Sequence, residues 1–215
     1  GIVFRQGLFN MTSDSGLFRN SQRRSELSEP VPLYEAKMVH HFDHRWATFI
    51  GDSDDSRDIT DIEKQDAQMT VQPRYWVERS DVEDRLKEKE WTKGWLLGYR
   101  NICRSTDERS AITSIFPRVG VGHSMPIIMT KESTALTVCF AAMLNSLVFD
   151  FVVRQKLGGT NFTYGYFKQI AAPAPSAFTD DLVNKIVPRV LELTYTAHDM
   201  LPFYMDVVTE KANWD

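Results

Sequence analysis

Ser133-Thr134-Ala135-Leu136-Thr137-Val138-Cys139-Phe140-Ala141-Ala142-Met143-Leu144-Asn145-Ser146-Leu147-Val148-Phe149-Asp150-Phe151-Val152-Val153-Arg154-Gln155-Lys156-Leu157-Gly158-Gly159 is the stretch on which the fold turns. Ser133 is a good N-cap residue, because its hydroxyl can accept from the first free backbone N–H groups. Gly158 and Gly159 supply the left-handed conformation that ends a helix. One long helix over 133–156 is therefore expected. Asn145 and Asp150 interrupt its apolar run, which fits a helix buried in a core better than a membrane span.

Upstream of this helix the pattern is that of strands. Residues 71–78 contain Tyr75, Trp76 and Val77, residue types that favour extended chain. Ser80 with Glu83 three positions later has the form of a capping box and opens a helix to about Lys89. Residues 95–103 and 111–116 read as strands, joined by the polar turn Ser105-Thr106-Asp107-Glu108. Residues 119–129 form a third extended piece, punctuated by Gly120, Gly122 and Pro126. Downstream, Thr179 caps a helix with Asp180 and Asp181 in its first turn, and Pro188 is expected to kink or split it.

Among residues 1–50, Phe4, Leu8, Phe9, Leu17 and Phe18 suggest short elements laid on a core. The acidic run 51–68 reads as an exposed, disorder-prone loop. Strands followed by helices give an α+β class. The expected layout is an N-terminal segment 1–70, a recognition body 71–175 and a helical segment 176–215, together one unit of a larger protein. The chain opens on Gly1 rather than Met, which reads as the start of an excised fragment.

Hydrophobic residues make up 42% of the 215 and aromatics 12%, enough for a packed core. Cys103 and Cys139 lie far apart without metal-ligand spacing, which suits a reducing, cytoplasmic setting. The net charge of −4 is unevenly spread. Residues 93–168 carry nine Lys/Arg against four Asp/Glu, a net of +5, whereas 43–66 and 169–215 are net −5 and −4. A nucleic-acid face needs local positive charge, because phosphate contact and counterion release supply most of the affinity. The middle segment has it.

Several catalytic patterns are missing. The chain has no Pro-Pro pair, hence no Asn/Asp-Pro-Pro-aromatic loop of the kind that holds a flipped base for amino-methylation. Gly120-Val121-Gly122 is too short to be a cofactor loop and reads as a turn. There is no P-loop and no zinc pattern. His40, His41, Asp43 and His44 cluster within five residues. On a strand, His40 and His44 would face away from His41 and Asp43, so a hydrogen-bonded network is expected rather than a metal site. Asp14, Glu35 and Lys37 match a nuclease pattern, in which two carboxylates hold Mg²⁺ and the lysine assists water. Arg74, Arg100, Arg104, Arg109 and Arg118 are spread over strands and turns, and arginine suits phosphates and guanine edges. The loop from Gly158 to Tyr164 could meet phosphates through N–H groups and hydroxyls.

At these residues the chain resembles a known family. Pro32-Leu33-Tyr34-Glu35-Ala36-Lys37-Met38-Val39-His40-His41-Phe42-Asp43-His44-Arg45-Trp46-Ala47-Thr48 is similar to a signature in large adenine-specific DNA methyltransferases of type II, type IIG-like, restriction-modification systems. The stretch from Phe9 to Arg19 resembles the family's approach to that signature. Tyr99-Arg100-Asn101-Ile102, Arg109 to Pro117, and Leu144-Asn145-Ser146 with Asp150-Phe151 resemble its C-terminal region. Gly158 to Pro175 is similar to a Gly-Thr-Asn loop and Pro-x-Pro passage in type I specificity subunits.

The resemblance extends from about Phe9 to Pro202. It implies a DNA target-recognition domain without a catalytic or metal site of its own. The implied partners are double-stranded DNA and an N-terminal methyltransferase domain, which would carry S-adenosylmethionine. The expected DNA-binding residues are Arg74, Arg100, Arg104, Arg109, Lys156, Asn161, Thr163 and Lys168. The alternatives are a Mg²⁺-dependent nuclease built on Asp14, Glu35 and Lys37, and a scaffold that docks protein.

Overall fold

Every residue of 95–99 and of 113–117 is buried, so this pair of strands must be covered on both faces. The computed structural model describes residues 2–211. In chain order these form β1 (Ile2–Arg5), β2 (Pro30–Tyr34), β3 (Ala47–Phe49), β4 (Ser56–Asp58), α1 (Asp61–Lys64), β5 (Trp76–Glu78), α2 (Arg79–Lys87), β6 (Trp95–Tyr99), β7 (Thr113–Pro117), β8 (Gly120–Val121), β9 (Ile127–Thr130), α3 (Thr134–Leu144), α4 (Leu147–Lys156), α5 (Tyr164–Phe167), α6 (Asp180–Thr194) and α7 (Leu201–Lys211). The class is α+β, as expected.

The central sheet has the order β1-β9-β6-β7 and is antiparallel throughout. Alternation along β6 sends Trp95 and Tyr99 to the helical side. There Trp95 meets Phe203 of α7, and Tyr99 meets Phe162 and Phe167. The opposite side carries Phe116, whose ring stacks on Tyr34 of a second sheet, β5-β2-β8. Gly120-Val121 is thus a short strand parallel to β2, not a turn. A side chain at Gly120 would come within 2.7 Å of Val77 and 3.1 Å of Leu33, so only glycine lets β8 lie this close.

The single helix expected over 133–156 is two helices, bent by 61° at the Asn145-Ser146 break. Ser146 restarts the helix by accepting from Phe149 N at 3.1 Å. A residue pair that terminates one helix and caps the next outweighs apolar continuity. By length and composition the bent pair could match a membrane span, but α3 lies largely in the core. Among the described residues no single helix is long and apolar enough to cross a membrane. Pro188 neither splits nor ends α6. Pro188 and Asn184, whose carbonyl loses its helical donor, are both exposed, so water can take that bond.

The acidic stretch 51–68 is also more ordered than its composition suggests. β4 pairs with β3, and α1 opens on a Thr60/Glu63 capping box. Beneath it Arg45 is 0% exposed. Its Nη1 donates to the carbonyls of Asp66 at 2.9 Å and Met69 at 3.0 Å. Its Nη2 donates to those of Lys64 at 3.1 Å and Thr196 at 2.7 Å. One guanidinium thereby ties the acidic loop to the segment before α7. Segments 1–70, 71–175 and 176–215 all contribute to one continuous hydrophobic core.

Lysine in place of Arg45 cannot fork across four carbonyls. Arg45→Lys is expected to lower unfolding free energy by about 3 kcal/mol. An unchanged urea midpoint would show that the carbonyls are satisfied without the fork.

Candidate nucleic-acid interface

The site is built around Asp150, which is 4% exposed on the first turn of α4. Its Oδ1 accepts from the backbone N–H of Ser110 at 2.7 Å and of Ala111 at 2.8 Å. Its Oδ2 accepts from Arg154 Nε at 2.8 Å and lies 3.7 Å from Arg109 Nε. Burial pushes this carboxyl up, but the N–H groups of Ala111 and Ser110 and the Arg154 guanidinium outweigh it and hold it below the usual range. Arg154 also donates to the carbonyl of Ser105, at 2.9 Å, and to that of Glu108. Asn145, at the helix break, receives Thr113 N–H on its side chain at 3.1 Å and Arg109 Nη2 on its carbonyl at 2.9 Å. Helix α4 thus fixes the polar turn 104–110.

A second loop is stitched to the first. Cys103 N donates to Thr160 O at 3.1 Å, Phe162 N donates to Asn101 O at 2.7 Å, and Ile102 bridges Asn161. The anchor beneath is aromatic, since Phe162 and Phe167 stack on each other while Phe162 meets Tyr99 edge-on and Phe167 meets it tilted. Above it, Arg104, Lys156, Asn161, Thr163 and Lys168 are all exposed. Ile102 is 62% exposed among them, and Lys168 Nζ lies 5.0 Å from the centre of the Tyr164 ring. Two loops distant in sequence therefore make one polar surface with free cationic donors.

No family model, curated protein or solved structure matches the chain.

The other expected DNA contacts are placed differently. Arg74 grips both Glu35 oxygens at 3.1 Å and also binds Asp54. Arg100 donates to Val39 O at 2.8 Å, and burial lowers its pKa. Arg109 is held by Asn145 and Asp150. Arg118, a further arginine of the basic segment, is spent on Glu83 and on the carbonyls of Trp91 and Lys93. These four hold the fold, because a guanidinium is the one side chain able to satisfy several acceptors at once. What the sequence reading missed is Asp150 as the clamp. Its signal was present: a lone acid between Phe149 and Phe151.

Of the nuclease trio, Glu35 and Lys37 share the cluster around Arg74 and Asp54, while Asp14 is paired elsewhere. Asp14 sits 3.7 Å from Arg85, Glu35 is gripped by Arg74, and Lys37 donates to Asp54 O at 3.0 Å. Among the described residues no group of three or more His, Cys, Asp or Glu could hold a metal ion. The histidine segment is not a strand. His40 and Asp43 bond each other's backbone across a turn, with Phe42 at φ +58°. His44 Nε2 binds Asp199 at 2.9 Å, and Asp43 takes Arg45 N–H and Lys64. His41 Nε2 lies 2.8 Å from Ala111 O. That carbonyl can only accept, so Nε2 carries the hydrogen. His41 Nδ1 then accepts from His40 Nδ1 at 3.3 Å. This chain of bonds ends on the residue whose N–H binds Asp150.

Asp150→Ala would leave two buried N–H groups and Arg154 Nε without their acceptor and remove the carboxylate beside Arg109, a cost of about 3–5 kcal/mol. Amide exchange at Ser110 and Ala111 should accelerate most, and equal protection there would dismiss the clamp. His40 is pushed from 6.5 down to about 4, first by burial and then by His41 and Arg100. The unfolded chain therefore binds the extra proton, and stability from neutral His40 is complete above pH 6.5 and lost as pH falls towards 4. The gap in urea midpoint between the native chain and His40→Gln is expected to shrink over that window. A gap constant with pH would refute it.

Proposed function

We propose that this chain is the target-recognition part of an N6-adenine DNA methyltransferase of a restriction-modification system, acting in the cytoplasm. The observation that carries the reading is the stitched surface of loops 101–109 and 157–168, with Arg104, Lys156, Asn161, Thr163 and Lys168 exposed together. The resemblance of the histidine segment and of the Asn145–Asp150 stretch to that family adds to it. A further support is economy: the histidine network and the Asp150 clamp converge on Ala111 and so hold the surface from beneath.

In this reading the lysines and Arg104 meet phosphates, which fixes register, while Asn161 and Thr163 reach phosphates or base edges. A partner methyltransferase domain supplies S-adenosylmethionine and takes the flipped adenine. The chain positions the duplex and does no chemistry itself. Arg100 and Arg109 act indirectly, by anchoring the first loop, while Arg74 holds Glu35 and Asp54 and takes no part in the surface.

The test is duplex binding by this chain over a series of salt concentrations. Each cation on a phosphate contributes about one unit to the salt slope. The triple variant Arg104→Ala, Lys156→Ala, Lys168→Ala is expected to flatten the slope by about three units, while Lys131→Ala leaves it unchanged. Binding that ignores salt and all three substitutions would sink the proposal. Mg²⁺-dependent cutting by the chain alone, lost in Lys37→Ala, would instead establish the nuclease reading.

A further inference from the structure

A cleft of about 490 Å³ lies between β2, β5 and the start of α7. That size falls in the range of small-molecule sites. Its walls are largely apolar, including Pro30 and Pro32 of β2. Prolines carry no N–H, so β2 offers no backbone donor there, and an added strand would find no ladder. Recognition in this cleft must come from side chains.

Two side chains stand ready for an anion. Arg24 lies over the Trp76 ring, 3.7 Å from its centre. Its neighbours Arg19 and Arg23 both hold Glu26, and among the described residues no acid pairs with Arg24. Arg79 is paired with Glu29 at 3.4 Å and also lies close enough to Glu83 to lower its pKa, and the side chains of Arg79 and Glu29 are both exposed. The indole Nε1 of Trp76 is buried without an acceptor, a state that native structures seldom leave unexplained. Arg118 also lines the cleft, but its donors are spent on Glu83 and on two carbonyls, so it serves as wall. Asp199 is the cleft's carboxylate, and its Oδ1 is taken by His44.

We infer that this cleft binds a small organic anion, a carboxylate or phosphate monoester carried on a flat apolar body. Arg24 and Arg79 take the charged oxygens. The apolar body lies along Pro30, Pro32 and Pro117, and the Trp76 indole, sealed beneath Arg24, reports the ligand's arrival without bonding it. Guanidiniums match both oxyanions by paired donors. The proline walls suit the apolar portion. This inference is independent of the DNA-recognition reading, since it shares none of that surface's exposed residues.

The probes are 2-naphthyl phosphate, 2-naphthoate, neutral 2-naphthol and inorganic phosphate, each titrated into the full chain by calorimetry. The indole N–H resonance of Trp76, assigned with Trp76→Phe, is followed in parallel. At least one naphthyl anion is expected to bind and to shift that resonance, with phosphate or carboxylate preference naming the source of the charge. The pair Arg24→Gln, Arg79→Gln, both at exposed positions, is expected to weaken binding at least tenfold, since each charge-assisted bond is worth roughly that factor. Naphthol and inorganic phosphate should each bind at least tenfold more weakly than the better anion. The inference is overturned if neither naphthyl anion moves the Trp76 signal. It is also overturned if the double variant binds as the native chain does, or if naphthol or inorganic phosphate alone binds equally well.

Discussion

A buried carboxylate is expensive, and the architecture of this protein is organised around making one affordable. Asp150 loses water on entering the helix interface and regains the equivalent from two backbone N–H groups and the Arg154 guanidinium. Because those donors belong to the turn 104–110 and to α4, satisfying one charge positions two segments. Arg154 passes the constraint on to the carbonyls of Ser105 and Glu108. Ala111 passes it the other way, through its carbonyl, to His41 and His40. Low dielectric makes such a chain of bonds cooperative, and it makes any missing member costly.

The same logic explains where the positive charge went. The basic segment suggests a row of arginines offered to solvent, yet four of them turn inward. Each meets acceptors inside the fold: Arg100 the carbonyl of Val39, Arg109 Asn145, Arg118 Glu83 and two carbonyls, Arg154 Asp150 and two carbonyls. Of the segment's cations, Arg104, Lys156 and Lys168 are exposed and have no ion pair among the described residues, although Asp107 and Glu108 are exposed on the turn that carries Arg104. A count of charge along a sequence therefore overstates the binding face, because a guanidinium is as useful to a fold as to a ligand.

Much of the fold was legible in the chain. The strands around residues 95–99 and 113–117 and the helices begun near Ser80 and at Thr179 follow from local pattern. The Ser80/Glu83 capping box does not form: α2 starts at Arg79 with Glu78 as its N-cap, and neither Glu78 nor Thr179 makes a side-chain cap bond. The break in the long helix was legible too, in the pair Asn145-Ser146, but apolar continuity on both sides masked it. The ordering of 51–68 was hidden, because it depends on Arg45 reaching carbonyls up to 151 positions away. The grouping of Arg104 with Asn161 and Lys168 was half visible: both loops were recognisable as polar, but not as neighbours.

The sequence by itself determined which segments extend and which coil, since these are short-range properties of backbone sterics and neighbouring side chains. The caps expected at Ser80 and at Gly158-Gly159 did not form, because α2 is capped at Glu78 and α4 ends on an extended Leu157. It also determined that the middle of the chain is basic and that no amino-methyltransferase loop is present. Only the tertiary structure decided which polar groups would be spent inside and which left outside. That choice depends on where acceptors come to lie after the chain has folded, and a side chain's partner across sixty or a hundred residues leaves no local mark. Asp150 shows the division clearly, because its place on a helix was written beside it, while its purpose lay in the turn that the fold brought over it.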